Sequence, residues 1–186
     1  MAVLLDKALL DRFEAALRGA GAVIVDHLAP GVDDARIDAL LAPHRIELPE
    51  EARVWWRWHN GVLPGTPRTY EEITPGRDLR SLETVVYQYE QSWELMLDGG
   101  VVKMLEPFNE KPVIFLDCKV PRDAPIPIHS LSDWTENLRL VLPSFGELIA
   151  TWIGYIDRGV FRTNPDGTWA WNPDILPRDV VELGVY

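Results

Sequence analysis

The sequence predicts an α+β fold, a single compact domain whose helices pack against a central, mostly antiparallel sheet. Helical periodicity dominates the first 60 residues, short extended runs follow in the middle, and a last helix and a hairpin come at the end. Helices and strands that are segregated in this way, without strict alternation, are typical of the α+β class. A length of 186 residues fits one domain, so we assign residues 1–186 to a single unit.

Two helices are predicted before residue 45. Over residues 4–18, apolar side chains recur at helical spacing, and Gly19 and Gly21 are predicted to end the helix. Asp33 and Asp34 favour the start of the second helix, because short acidic side chains cap free backbone N–H groups. Pro43 ends this helix, since proline cannot continue the hydrogen-bonded ladder.

A third helix is predicted over residues 49–59. Pro49 suits its first turn, where a missing N–H costs nothing, and Gly61 is expected to serve as its C-cap. At about 100° per residue, the helix has one wide apolar arc. Trp55 and Trp58 are predicted to lie in the core, and Trp56 at the margin of the arc. Arg53 and Arg57 are predicted to lie on the opposite side of the helix.

The middle of the chain is predicted to contain a long loop, a helix and four strands. Residues 62–80 include three prolines and two glycines, which is typical of an irregular loop. Ser81 suits the N-cap of a helix whose apolar residues recur from Leu82 to Trp93. Pro127 predicts an edge position for its strand, because proline cannot donate to a ladder. The predicted strands span residues 101–105, 112–117, 126–129 and 137–142.

The carboxyl-terminal part has the clearest local signals. Ser144 and Glu147 form a capping-box pattern at the start of a helix. A proline-aspartate-glycine turn between two short apolar runs predicts a hairpin over residues 160–171. The helix has an apolar arc that is expected to be buried and that includes Phe145, Trp152 and Ile156.

Charge and cysteine content exclude several classes of function. The chain has 29 acidic and 18 basic residues, a net charge of −11 and a pI near 4.8, which argues against nucleic-acid binding through a basic face. No run approaches the ~20 apolar residues of a membrane span, and the first residues do not resemble a secretory signal. The single cysteine, Cys118, fits a reducing cytoplasm. The acidity also suits a basic protein partner.

Motifs that carry chemistry are scarce. The sequence has no glycine-rich phosphate loop and no dinucleotide fingerprint, and its four histidines are not spaced as a zinc site requires. It therefore predicts no cofactor and no metal. Cys118 is interpreted as a small, buried or half-buried packing residue, not as a nucleophile. One catalytic alternative stays open, a small hydrolase or transferase with a cleft around Asp117, His59 and His129. The competing interpretation of Asp117 is a turn-capping carboxylate.

A protein contact surface is predicted in the acidic, proline-rich loop. Tyr70 lies in a run without periodicity, so the pattern indicates no packing role for its ring. Glu71 and Glu72 beside it can pair with a basic partner, and loops on a rigid scaffold often carry binding residues. Together with the marginal Trp56, these three residues are the predicted anchors of the surface.

Several motifs, in the same order, resemble the SUKH superfamily of Smi/Knr-type cell-wall-assembly regulators and bacterial toxin-immunity proteins. The resemblance covers about residues 25–165. The strand that ends at Asp117 is similar to a middle strand of that family. The other matching residues are Leu48 and Pro49, the aromatic helix with Trp55 and Trp58, the pair Asn60 and Gly61, and the closing helix that starts with Ser144, Phe145 and Glu147.

The resemblance implies a compact α+β domain without a known active site. Bacterial members of the family are thought to bind and neutralise a cognate toxin, and fungal members to scaffold signalling proteins. It therefore favours a non-enzymatic, cytoplasmic interaction protein, most specifically an immunity protein against a basic toxin. A regulatory scaffold is the alternative. The first helix and the residues after 165 would be extensions of the family domain.

Overall fold

A computed structural model describes residues 2–91, 104–109, 113–131 and 139–175, and it confirms the α+β class. Predictions that concern Trp93, residues 101–103, 112 and 137–138, or the tail after residue 175 lie outside these ranges. None of the helices within the ranges is long and apolar enough to cross a membrane. The α-helices are α1 (Lys7–Ala20), α2 (Asp34–Leu41), α3 (Glu50–Trp58), α4 (Leu82–Gln91) and α5 (Phe145–Asp157). Helix α1 continues through Gly19, so the prediction that Gly19 ends it is wrong; the left-handed turn that ends the helix occurs at Gly21, with a φ of 75°.

The described strands form small antiparallel sheets. They are β1 (Leu28–Pro30), β2 (His59–Val62), β3 (Glu72–Thr74), β4 (Arg77–Leu79), β5 (Met104–Leu105), β6 (Phe108–Asn109), β7 (Val113–Asp117), β8 (Ile128–Leu131), β9 (Arg139–Leu142), β10 (Phe161–Thr163) and β11 (Trp169–Trp171). β1 pairs with β2, and β10 pairs with β11 as the predicted hairpin. The larger sheets have the orders β3-β4-β6 and β5-β7-β8-β9.

Strand β8 lies between β7 and β9, not at the edge of its sheet. The edge prediction from Pro127 is wrong because the ladder begins at Ile128, one residue after the proline, so no donor is missing within the strand. The Pro127 carbonyl still accepts a hydrogen bond from the Asp117 N–H at 3.2 Å. A proline just before a strand is therefore compatible with a central position.

Aromatic side chains from α3, β6 and α5 form the centre of the core. Trp55 is fully buried, and its ring centroid lies 5.1 Å from that of Phe145 and 5.6 Å from that of Phe108. Phe108 in turn packs edge-to-face on Trp152 at 5.1 Å. The predicted burial of Trp55, Phe145 and Trp152 is confirmed. Ile156 is only half-buried, because it borders an open groove between α1 and α5.

Helix α3 is covered on more sides than its apolar arc predicts. Trp56, expected at the margin, is fully buried, and Arg53, expected on the opposite side, is only 5% exposed. Arg53 donates hydrogen bonds to Asp34 and Asp38 of α2 and to the carbonyl of the buried Leu48. Both predictions are wrong because α3 packs against α1, α2 and α5 at once, so little of its circumference faces solvent.

The Asn60-Gly61 pair links α3 to the start of α4. Helix α3 runs directly into β2, so the extended His59 is its C-cap and the prediction of Gly61 as the cap is wrong. Gly61 adopts a φ of 79°, and a Cβ there would lie 2.8 Å from the Ser81 backbone nitrogen. Asn60 Oδ1 accepts a hydrogen bond from the Leu82 N–H at 2.7 Å. The pair therefore serves the next helix, which explains why an asparagine and a glycine occur together here.

Residues 62–80 are not an irregular loop throughout. They contain a 3₁₀ turn at Arg68–Tyr70 and the hairpin β3–β4, with Pro75 and Gly76 at its tip. Strand β4 also pairs with β6. The sequence interpretation missed this hairpin because its strands are only three residues long, too short for a clear alternation of apolar and polar residues.

The buried carboxylate of Glu51 connects three separate segments. Glu51 is 4% exposed and lies in the first turn of α3. Its Oε1 accepts hydrogen bonds from the N–H of Leu5 at 2.7 Å and of Gly146 at 3.0 Å, and its Oε2 accepts one from Ile126 at 2.6 Å. Three backbone donors therefore satisfy a charge that would otherwise be costly to bury.

Ser144 caps α5 as predicted, whereas Glu147 does not complete the capping box. Ser144 Oγ accepts the Glu147 N–H at 3.0 Å and donates a hydrogen bond to the Val3 carbonyl. The Glu147 carboxylate accepts the Val3 N–H at 3.0 Å. Both side chains thus bind the extended segment before α1. The Glu147 carboxylate accepts the Val3 N–H of that segment, whereas in a capping box it would accept the Ser144 N–H.

Replacing Gly154 by alanine is expected to raise the free energy of unfolding by roughly 0.5–1 kcal/mol. Gly154 lies inside α5, and a Cβ there would meet no atom within 4 Å. The matched control is Gly146→Ala in the same helix, where a Cβ would lie 2.4 Å from the Val3 carbonyl oxygen, so this variant should be destabilised. Urea unfolding measures both changes, and shifts of the same sign would contradict the prediction.

Candidate functional site

Strands β7 and β8 bring Asp117 and His129 together. His129 Nε2 lies 3.9 Å from Asp117 Oδ2, beyond hydrogen-bond distance, and each side chain is 20% exposed. Asp117 Oδ1 accepts the Lys119 N–H at 3.0 Å, which is a turn-capping contact. His129 Nδ1 is buried and has no hydrogen-bond partner among the described residues. The two side chains can form an ion pair once the imidazole is protonated.

His59 has a different set of neighbours. Its Nδ1 donates a hydrogen bond to the Ala29 carbonyl at 2.7 Å, and its Nε2 lies 3.6 Å from Glu14 Oε2. Its ring packs edge-on against Trp58, whose indole N–H donates to Glu14 at 3.1 Å. Because it reaches this polar neighbour, Trp58 is half-buried and not buried as predicted. Within the described ranges, no contact joins His59 to the histidine–aspartate pair on β7 and β8.

Other groups with catalytic potential are few in the part of the chain that the structure describes. Cys118 is buried, as predicted, with its thiol 3.7 Å from the Leu116 carbonyl oxygen. No group of three or more histidine, cysteine, aspartate or glutamate side chains in those ranges is arranged to hold a metal ion. Of the three residues predicted for a catalytic cleft, the structure brings Asp117 and His129 together but not His59, and the hydrolase or transferase alternative stays a prediction.

The predicted contact surface is exposed only in part. Trp56 is fully buried and is therefore removed from this surface. Tyr70 is half-buried, with its ring centroid 5.5 Å from that of His27. Glu72 accepts the Gly76 N–H at 3.1 Å, which stabilises the β3–β4 turn. Tyr70, Glu71 and Glu72 stay predicted contact residues, but two of them already have intramolecular roles.

Burial raises the pKa of Glu71 above its ordinary value, and the nearby Asp78 carboxylate adds to the rise, while Arg68 opposes it. Ionisation of Glu71 is therefore less favourable in the folded than in the unfolded state. The protonated Glu71 carboxyl stabilises the folded state relative to the ionised one. This stabilisation is complete below about pH 4.3, the ordinary pKa of glutamate, and is lost as the pH rises through the pKa of Glu71 in the folded state.

We expect Glu71→Gln to be more stable than the wild type at neutral pH, and the difference to vanish below about pH 4.3. The control is Glu83→Gln. Burial opposes the shift at Glu83, but hydrogen bonds from Asn60 and Arg36 lower its pKa, so this variant should be less stable at neutral pH. Urea unfolding at both pH values tests the pair, and a loss of stability in Glu71→Gln at neutral pH would contradict the prediction.

The exposed side of α4 carries an aromatic ring between two carboxylates. Tyr87 is 61% exposed, more than any other large hydrophobic residue described. Glu83 and Glu90 lie four residues before it and three after it, which places all three on one side of the helix. The side chains of both glutamates are partly exposed. We call Glu83, Tyr87 and Glu90 the Tyr87 face.

The Tyr87 face is positioned by contacts at both ends of α4. Ser81 is the N-cap, as predicted, since its hydroxyl accepts a backbone N–H of the first turn at 3.2 Å. Asn60 Nδ2 donates to Glu83 at 2.8 Å. Near the other end, Glu90 Oε1 lies 3.2 Å from His44 Nε2. A helix that is held in this way presents its exposed side chains in a fixed orientation, which lowers the entropy cost of binding.

The sequence interpretation missed the Tyr87 face, although the helical pattern contains it. The apolar stripe of α4 is formed by residues 82, 85, 86 and 89, and a stripe on one side leaves positions 83, 87 and 90 on the other. A tyrosine outside the stripe of an amphipathic helix is therefore a signal of an exposed aromatic residue. The predicted contact residues lie instead in a run without periodicity (Tyr70, Glu71 and Glu72) and at the margin of the apolar arc of α3 (Trp56).

No protein-family model matches the chain, and no curated protein is detectably similar to it in sequence. A proposal about function therefore has two supports, the exposed chemistry of the described residues and the motifs that resemble the SUKH superfamily.

Proposed function

We propose that this chain is a non-enzymatic protein-interaction domain, and more specifically an immunity protein that binds and neutralises a basic toxin in the cytoplasm. The observation that carries the proposal is the Tyr87 face. A tyrosine that is 61% exposed and flanked by carboxylates has the aromatic centre and polar rim of many protein interfaces. The net charge of −11 adds a long-range attraction for a basic partner.

The motifs of the SUKH resemblance support the proposal in a second way, because many of their residues have structural roles. Leu48 is buried, Asn60 holds the start of α4, and Ser144 caps α5. Phe145 lies in the aromatic core. Motif residues that stabilise the fold, and do not form a reactive site, are what a binding domain needs.

Binding at the Tyr87 face would combine aromatic burial with charge pairing. The Tyr87 ring can enter a hollow on the partner with little loss of side-chain entropy. Glu83 is already paired with the permanent cation of Arg36 at 3.0 Å, whereas the group beside Glu90 is the His44 imidazole at 3.2 Å, which carries a charge only when protonated. Glu90 is therefore the carboxylate better placed to pair with a lysine or arginine of the partner. Such charge pairs contribute mainly to association rate and specificity.

The test is calorimetric titration of the chain with the inactivated product of the adjoining gene. We expect binding by the wild type and a loss of roughly tenfold or more in affinity for Tyr87→Ala combined with Glu90→Lys. The matched control is Tyr70→Ala combined with Glu72→Lys, which removes the same groups from the predicted loop surface.

Each outcome decides a different point. Absence of binding by the wild type would argue against the immunity function. If only the control pair of substitutions weakens binding, the immunity function is supported, but the contact lies on the loop surface and not on the Tyr87 face. Thermal unfolding of both double variants separates lost contacts from lost folding.

A further inference from the structure

A groove of about 700 Å³ lies between α1 and α5, next to β10. Its apolar lining comes from Ile153 and Ile156 of α5 and from Phe161 of β10, while α1 contributes small side chains. Because alanine and glycine fill little space, the two helices leave a concave surface here. A Cβ at Gly19 would meet no atom within 4 Å, so the open part of the groove lies beside this residue.

Two arginines line this groove without a counterion in the described part of the chain. Arg12 of α1 and Arg162 of β10 are exposed and make no hydrogen bond or ion pair there. Arg18, on the same helix as Arg12, pairs with Glu14 at 2.7 Å. Asp157 is the acidic residue of the lining, so the groove is net positive on a chain with a net charge of −11.

We propose that this groove binds a short acidic segment of a partner protein. An apolar side chain of the segment would cover the half-buried Ile156 and the alanines of α1, above a floor formed by the buried Ile153 and Phe161. Carboxylates on either side of it would pair with Arg12 and Arg162. Arginine suits this role because its planar guanidinium can hold a carboxylate through two parallel hydrogen bonds. The combination of apolar lining and unpaired positive charge distinguishes this ligand from a basic or a purely apolar one.

The length of the groove limits the number of residues that the bound segment can have. The lining residues of α1 span positions 12 to 20, a length of about 12 Å at 1.5 Å per residue. This length accommodates roughly three or four residues of extended chain at 3.3 Å each. One apolar residue between two acidic residues is therefore the smallest segment that would contact the lining and both arginines.

This inference does not rest on the proposed function. The Tyr87 face is acidic and suits a basic partner, whereas the groove is positive and suits an acidic one. The two surfaces can therefore be tested separately, and failure at one does not decide the other.

The test uses the full chain and a fluorescent pentapeptide in which aspartate and leucine alternate. A peptide of alternating serine and leucine controls for purely apolar binding. We expect the aspartate peptide to bind and the serine peptide not to bind. Arg12→Glu combined with Arg162→Glu should weaken binding roughly tenfold or more. Arg18→Glu is the matched control because it changes the same charge on the same helix outside the groove.

A second variant tests the apolar lining without changing charge. Gly19→Leu places a side chain in the open part of the groove and should weaken binding by a similar factor. Gly154→Leu is its control, since a Cβ at Gly154 also meets no atom within 4 Å but the residue is not part of the lining. Thermal unfolding of each variant shows whether the fold is retained.

Three results would overturn the proposal. One is no binding of the aspartate peptide by the wild type, and another is equal weakening by Arg18→Glu and by the groove variants. The third is self-association in sedimentation experiments that Gly19→Leu abolishes, because a second copy of the chain would then be the occupant.

Discussion

Glu51→Ala is expected to lower the free energy of unfolding by about 3–5 kcal/mol. The change leaves the N–H groups of Leu5, Ile126 and Gly146 without their acceptor in a buried place. A buried donor without a partner costs about 1–3 kcal/mol, and hydrogen bonds to charged groups are stronger than neutral ones. Because these three donors belong to segments far apart in the sequence, the unfolding of these segments should also become less cooperative in the variant. Urea unfolding followed by circular dichroism measures the change.

The neighbouring Glu50 provides the matched control. Its carboxylate forms exposed ion pairs with Arg57 and Arg122, and such pairs contribute about 1 kcal/mol or less. Glu50→Ala should therefore have a small effect, although it removes the same side chain one position away. Glu51→Gln should fall between the two, since the amide oxygen can still accept while its NH₂ group faces a donor. Similar losses for Glu50→Ala and Glu51→Ala would refute the role we assign to Glu51.

Trp55→Ala is expected to cost about 3–5 kcal/mol of stability, the usual range for removing a large buried aromatic side chain. The ring is fully buried and packs against Phe145 and Phe108. Its loss would open a cavity between α3, β6 and α5, which these aromatic residues close. Chemical denaturation measures the effect, together with the loss of the near-ultraviolet circular dichroism of the packed rings.

The conservative variant Trp55→Phe separates volume from hydrogen bonding. Among the described residues, the Trp55 Nε1 is buried without a hydrogen-bond partner, so phenylalanine removes no bond and should cost less than half as much as alanine. Trp58→Ala is a second control, because Trp58 is half-buried at the border of the same cluster. A Trp55→Ala variant as stable as the Trp58→Ala variant would be evidence against a core centred on Trp55.

Several elements of the fold are predictable from short stretches of the sequence. The helix that starts after Ser144 has a cap and an apolar arc, and the structure contains both. The turn at residues 164–167 predicts the hairpin β10–β11 through local turn chemistry. Trp55 is assigned to the core correctly because it lies in the middle of its arc. Each of these signals acts between residues close in sequence, so no knowledge of the rest of the chain is needed.

Candidate contact residues are less predictable, because exposure is a property of the whole molecule. A residue at the margin of an apolar arc, such as Trp56, would be exposed on a helix that packs against one neighbour. Helix α3 packs against several elements, and these bury Trp56. Tyr87 has the opposite outcome, since the described elements pack on the far side of α4 and leave its ring 61% exposed. The sequence contains the stripe of α4, and only the packing decides which aromatic residue outside a stripe reaches solvent.

The α+β class, the main helices, the N-caps Asp33, Ser81 and Ser144, the carboxyl-terminal hairpin and the acidic character of the chain are all predictable without a structure. These depend on periodicity, capping, turn residues and composition, which are local or additive properties. Three other features are visible only once the chain is folded: the burial of Arg53 beneath α2, the role of Glu51 in joining three segments, and the groove between α1 and α5. These features join residues that are far apart in the sequence, 95 positions for Glu51 and Gly146 and more for Arg12 and Thr163 on the two sides of the groove. Their proximity depends on how all the elements pack.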